Sequence, residues 1–330
     1  MRFRSRLPML LSLMAAALCG CDGSSGAVTA GVAAVDFYGT PPLGVQQLLL
    51  AENEAGNPRE VRLFIPQQSG SYPLLQFQHG FVSDVDNYTA LLARLAGFGF
   101  VVAAPQMYGS DPSSAPSVAD ETAAAVAVLA WGQGSLNAVL AARLPPPLAV
   151  RIARESTGLL GHSRGGQVAW RMLFDHPAET RARAIAGVDP VDGNAPPFPP
   201  GGTGELVTDD AGAFQFAFPS LVIGMGLGST GVPGFECAPA NRNYTLFYNA
   251  SRAPRYEVVA SGYGHNDMTN GDVPDGVCFG DIDGAREPLR VFVAGQLAAY
   301  FSSVLSAQPQ FAVLKNLGNA PVAADGRFED

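Results

Sequence analysis

The sequence predicts one doubly wound α/β domain, with a mostly parallel sheet and helices on both faces. Three observations predict it. From about residue 35 short apolar runs alternate with helix-spaced segments, the pattern of strand–helix–strand units. The run 100–104 (F-V-V-A-A) is apolar without alternation, as a strand buried on both faces must be. Residues able to do chemistry fall in the loops that follow such runs, where open α/β sheets carry their sites.

The 330 residues admit one large domain or two smaller ones, and neither an internal repeat nor a linker divides them. Glycine (38) and proline (26) are abundant. At 47% apolar residues, though, the chain has ample core-forming segments and disorder is confined to loops. Residues 1–20 read as a targeting signal. Arg2, Arg4 and Arg6 form a positive start and residues 7–18 an apolar stretch too short to span a bilayer. Leu18-Cys19-Gly20-Cys21 resembles the lipobox of bacterial lipoproteins, which places cleavage before Cys21 and a lipid on it; an ordinary secretory signal is the alternative. Residues 21–34 then form a tether, 35–306 the α/β domain and 307–330 a tail with no clear pattern. Either way the mature protein lies outside the cytoplasm: lipid-anchored in the bacterial cell envelope with the lipobox, secreted or periplasmic with an ordinary signal.

Cleavage there removes three of the 20 Lys+Arg and none of the 29 Asp+Glu, taking the formal charge from −9 to −12. No basic patch remains to follow phosphates, which argues against a nucleic-acid partner. Of the four cysteines, Cys237 and Cys278 are left as an even pair in an oxidising compartment, and a disulfide is expected between them.

In chain order, 46–51 and 60–65 read as a hairpin and 72–78 as a strand ending at His79-Gly80-Phe81. Residues 87–97 read as a helix capped by Asn87, and 100–104 as the buried strand. An Ala-rich helix spans 118–143 with an interruption near Gly132–Gly134, where glycine weakens helices. Strand 157–161 feeds Gly161-His162-Ser163-Arg164-Gly165-Gly166, after which apolar positions recur at helical spacing over 166–174. Strands 182–188, 220–225 and 256–260 follow, the last leading to Gly262-Tyr263-Gly264-His265, and an amphipathic helix closes the domain over 287–306. The loop 194–217 carries Phe198, Phe214 and Phe216, apolar side chains suited to covering a large apolar group.

A serine between glycines at a strand-to-helix turn is the context of a nucleophile elbow. Such a serine needs a base and an acid that orients the base. Of four histidines, His79 precedes the elbow, His162 adjoins the serine and is expected to point away, and His176 ends the following helix. His265 is left as the base. Asp189, directly at a strand end, is the expected acid, with Asp192 as the alternative. The N–H groups of Arg164 and of Phe81 are the expected oxyanion donors. Nothing calls for a cofactor or metal: no zinc spacing is present, and Asp267, Asp272, Asp275, Asp281 and Asp283 crowd one loop without calcium-loop spacing.

G-H-S-R-G-G at 161–166, G-V-D-P-V-D-G at 187–193, L-V-I-G-M-G-L-G at 221–228, C-A-P at 237–239, N-Y-T-L-F-Y-N at 243–249 and G-Y-G-H-N-D-M at 262–268 together resemble the successive blocks of chlorophyllases, from about 60 to 305. The H-G-F block is also similar to that of platelet-activating-factor acetylhydrolases and bacterial polyester hydrolases. The resemblance implies an α/β-hydrolase fold, carboxylic-ester hydrolysis releasing phytol from chlorophyll, and the triad Ser163, Asp189 (or Asp192) and His265. It leaves two other readings: a general carboxylesterase, lipase or polyester hydrolase, or a non-catalytic binding lipoprotein. A membrane, through the lipid, and a small ester with a large apolar portion are the expected partners.

Overall fold

A computed structural model describes residues 35–193, 213–230, 236–270, 278, 280, 286–306 and 308–330. The signal, Cys21, the tether, Phe198 and the acidic residues 272, 275, 281 and 283 lie outside the described residues.

In chain order the elements are β1 (Val45–Leu50), β2 (Val61–Pro66), β3 (Gly70–Gln78), α1 (Thr89–Gly97), β4 (Val101–Pro105), α2 (Val118–Arg143), β5 (Val150–His162), α3 (Arg164–Asp175) and a single turn, α4 (Pro177–Thr180). There follow β6 (Ala184–Val188), β7 (Ser220–Met225), α5 (Tyr244–Ala250), β8 (Arg255–Ala260), α6 (Arg286–Leu305), α7 (Phe311–Lys315) and β9 (Ala324–Glu329). The strands form one sheet in the order β1-β2-β4-β3-β5-β6-β7-β8-β9. The six central strands are parallel, while β2 pairs antiparallel with both β1 and β4, and β9 runs antiparallel to β8.

α1 and α6 cover one face of the sheet; α2, α3 and α5 cover the other. The strand period of two divides the core between them. In β5 a Cβ on Gly158 would press on Phe301 and Leu305 of α6, whereas Leu159 joins Leu129 and Val168 in the opposite core. All five residues of β4 are buried, as its unbroken apolar run requires.

Four readings of the sequence change. α2 runs through Gly132 and Gly134 without interruption. Two glycines cost on the order of 2 kcal/mol, less than a 26-residue helix gains by packing on β5 and α3. Asn87 is not a helix cap: it lies in a 3-10 turn, Val85–Tyr88, whose cap is Asp84, accepting from the Asp86 N–H at 2.9 Å. The tail beyond 307 is structured, because α7 packs on α6 and β9 completes the sheet edge. Phe214 is buried in the core and stacks with Phe216, which stacks in turn with Phe218, just before β7 begins. Phe214 also meets Phe174 at the far end of α3 from Ser163. These described aromatics therefore sit at the opposite end of the sheet from the serine and do not cover it.

Candidate active site

Register brings the site loops to one edge. Gln78 of β3 pairs with Gly161 of β5, His162 with Val188 of β6, Val188 with Ile223 of β7, and Met225 with Ala260 of β8. His79–Phe81, Ser163, Asp189 and His265 thus all leave the sheet on the same side.

Ser163 has φ 55° and ψ −128°, a backbone conformation that costs a non-glycine residue about 1–3 kcal/mol and is held only by its surroundings. Its N–H donates to Val188 O at 3.2 Å and its carbonyl accepts from Val191 N–H at 3.1 Å, so β6 and its loop impose the turn. Chain crossing at the elbow leaves no room for side chains: a Cβ at Gly161 would lie 2.1 Å from Gly165 O, and one at Gly165 would lie 2.2 Å from Gln78 O.

Asp189 is fully buried. Its Oδ2 accepts from His265 Nδ1 at 2.6 Å and its Oδ1 from Met225 N–H at 3.1 Å. Both oxygens are engaged, one by the imidazole and one by the neighbouring strand, so the carboxylate is fixed in direction. With Nδ1 used in this way, Nε2 is the nitrogen of His265 left for proton exchange. Asp192 goes elsewhere: its carboxylate accepts from Gln167 Nε2 on α3 at 2.7 Å, and its N–H donates to Arg242 O.

The loop of His265 is fastened by Asp267, whose Oδ2 accepts from Gly264 N–H at 2.6 Å and from Gly280 N–H at 3.0 Å. Asn266 N–H donates to Cys278 O, and Cys278 is joined by a disulfide to Cys237, with the Cα atoms 5.6 Å apart. Next to Cys237, Ala238 N–H donates to Gly228 O, and a Cβ on Gly228 would lie 2.6 Å from Asp189 Oδ2. The bridge therefore links the segment behind Asp189 to the segment behind His265.

On the opposite side, His79-Gly80-Phe81 comes close enough that a Cβ on Gly80 would lie 3.3 Å from Ser163 Cβ. Met107 N–H donates to His79 Nε2 at 3.0 Å, which leaves Nδ1–H to donate to Gly80 O at 2.9 Å. Burial drives the His79 pKa down to about 4, so the ring is neutral and holds the loop through both nitrogens. Arg164 opens α3, where N–H groups have no intrahelical acceptor. Its guanidinium donates to Glu121 at 2.8 Å and to Pro116 O at 2.6 Å, and lies over the rings of Phe81 and Tyr108. Burial raises the Glu121 carboxyl to about 7 despite this partner. Glu121 and Gln167 are supports that sequence patterning gives no means of finding, since each acts through a residue distant in the chain, Arg164 and Asp192 respectively.

His162 does not point away from the site. Its ring is fully buried, with its centroid 4.6 Å from that of His265 and its Nε2 3.1 Å from the His265 carbonyl oxygen.

Among the described residues no group of three or more His, Cys, Asp or Glu side chains is arranged to hold a metal.

The strand order, the strained serine after β5 and the Asp–His couple at the sheet edge define an α/β-hydrolase. The family model for chlorophyllases matches residues 30–327. The chain is 30% identical to Chlorophyllase-2 of Arabidopsis thaliana over 264 residues, covering 75% of this chain and 78% of that protein. It is 31% identical to Chlorophyllase-1 of the same plant over 263 residues (74% and 75%), and 28% identical to the chloroplastic Chlorophyllase-1 of Citrus unshiu over 278 residues (81% and 80%). The chain belongs to the chlorophyllase family and is a carboxylic ester hydrolase.

Proposed function

We propose that Ser163, His265 and Asp189 hydrolyse the ester through an acyl-enzyme. The observation that carries this is the buried 2.6 Å contact of Asp189 with His265 Nδ1, at the same sheet edge as the strained Ser163. His265 Nε2 takes the Ser163 Oγ proton as Oγ adds to the ester carbonyl. The N–H groups of Arg164 and Phe81 stabilise the oxyanion, and Asp189 stabilises the imidazolium. The imidazolium then protonates the departing alcohol. Water, deprotonated by the same nitrogen, adds to the acyl-enzyme carbonyl; the imidazolium then returns the proton to Ser163 Oγ as the acyl–oxygen bond breaks and the acid is released.

The family of the relatives supports chlorophyll as the ester, cleaved to chlorophyllide and phytol. A second reading, a general carboxylesterase, lipase or polyester hydrolase, is supported by the N-terminal signal: residues 1–21 resemble an exported bacterial lipoprotein, whereas the Citrus relatives carry "chloroplastic" in their names. The test compares release from chlorophyll a with release from short-chain nitrophenyl esters. Turnover of the pigment that Ser163→Ala abolishes supports the first reading; turnover of the short esters alone supports the second. Absence of fluorophosphonate labelling at Ser163 would remove the serine mechanism altogether. A lipid on Cys21 is a separate part of the proposal, and Cys21→Ala should then move the protein from the membrane to the soluble fraction.

A further inference from the structure

Behind the reacting groups, a line of buried polar atoms crosses from the loop that carries the oxyanion donor to the loop that carries the base. The His265 carbonyl oxygen can only accept, so His162 Nε2–H donates to it at 3.1 Å. His162 Nδ1 is then an acceptor, and Tyr88 O–H donates to it at 2.8 Å. Tyr88 Oη in turn accepts from Gly80 N–H at 3.2 Å. Both side chains are fully buried. Burial lifts the Tyr88 hydroxyl to about 12, so it keeps its proton. Burial, helped by the nearby His265, holds the His162 ring well below the usual histidine range, so it stays neutral. Every hydrogen bond in the line therefore has a single direction, running from Gly80 to His265.

We propose that Tyr88 and His162 are positioning residues that fix the main chain of His265 against the His79–Phe81 loop. The proposal rests on the triad reading above. Asp189 orients the imidazole of His265, and His162 holds the backbone from which that imidazole projects. Between them they remove the freedom that would take Nε2 out of line with Ser163. The relay also accounts for the missing side chain at position 80, since a Cβ on Gly80 would approach both His162 Nδ1 and Tyr88 Oη to 3.1 Å. A neutral ring is what this place requires. It can share a contact of 4.6 Å with His265 while His265 gains a proton in the reaction, where a charged neighbour would oppose that step.

The test separates the hydrogen bond from mere filling of space. His162→Gln retains an amide N–H near the Nε2 position and can still donate to the His265 carbonyl. In His162→Asn the side chain is shorter; it reaches the Tyr88 hydroxyl but not that carbonyl. With an ester that the wild-type enzyme turns over, His162→Asn should lower kcat about 10- to 100-fold, the equivalent of one lost buried hydrogen bond, with KM within about 2-fold. His162→Gln should recover kcat to within about 5-fold of wild type. Phosphonylation of Ser163 by a fluorophosphonate should slow in the same ratios. Equal kcat in the two variants, or a loss expressed in KM, overturns the proposal. If neither variant folds, Tyr88→Phe decides. It keeps the ring packed against Phe77 and removes the middle of the relay, so an unchanged kcat overturns the proposal and a drop of about 5-fold or more at constant KM supports it. A wild-type protein that is folded but neither turns over esters nor takes the label would overturn the triad reading itself, and the relay with it.

Discussion

Asp189 and Asp192 lie three positions apart in one loop, yet the structure gives them different partners. Asp189 leaves β6 immediately after Val188, with φ 40°, and this sharp exit turns its carboxylate to Met225 N–H and His265. Asp192 is already past the turn and faces Gln167. In steady-state ester hydrolysis, Asp189→Asn should reduce kcat on the order of 10³- to 10⁴-fold, as expected when an imidazole loses the carboxylate that sets its tautomer. Asp192→Asn should cost only a few-fold; the reverse ranking would make Asp192 the acid. His79 supports a second residue-scale prediction. Its folded pKa of about 4 lies below the ordinary value of 6.5, so the unfolded chain takes up a proton over a range where the folded one does not. Stability linked to His79 is complete above about pH 6.5 and is lost as the pH falls toward 4, by roughly 3 kcal/mol. Urea unfolding at pH 7 and pH 4 should show wild type losing more than His79→Gln, in which an amide oxygen can still accept from Met107 N–H. Parallel losses would contradict the assignment.

At the scale of elements, the Cys237–Cys278 bridge joins two chain segments, one behind each member of the Asp–His couple. It closes a span of 41 residues, which in the chain-entropy account amounts to about 4 kcal/mol. Cys278→Ser should therefore lower the thermal midpoint. It should also lower kcat more than it raises KM, because Asn266 N–H and the Asp267–Gly280 contact hold His265 through the same segment. A variant that is less stable but has wild-type kcat would leave the bridge a purely structural role. Much at this scale is legible in the sequence. Strand 220–225 is delimited by its own apolar run, and the elbow by glycines whose Cβ atoms would collide with backbone. What is not legible depends on contacts distant in sequence. α5, with the sequence Y-T-L-F-Y-N-A, has the aromatic content of a strand but is helical, capped by Asn243 and packed through Phe247 on Trp170. The inward turn of His162 is set by a carbonyl 103 residues further along, which no local pattern announces.

Over the whole molecule, the parallel centre of the sheet needs its two borders finished, since a bare edge strand offers unpaired N–H and C=O groups. On one side the β1–β2 hairpin does this; on the other, β9 covers β8. β9, A-D-G-R-F-E, is largely exposed and has no apolar alternation, which is why its sequence does not read as a strand. It is held by charge. Arg327 makes a two-pronged contact with the buried Glu257 of β8 at 2.7 and 2.6 Å, and Arg255 pairs with Glu329, the two guanidinium groups lying over the ring of Tyr248. Removing the Arg327 side chain strands a carboxylate that is only 5% exposed, at a cost of roughly 1–3 kcal/mol. Yet β8 also pairs along its whole length with β7, and it is this inner register that delivers His265 to the site. Arg327→Ala should therefore lower the unfolding midpoint in urea while leaving kcat and KM at wild-type values well below that midpoint. Loss of turnover in a variant of undiminished stability would mean that the C-terminal strand reaches the chemistry directly, and that the sheet border and the site are not separable as their hydrogen bonding implies.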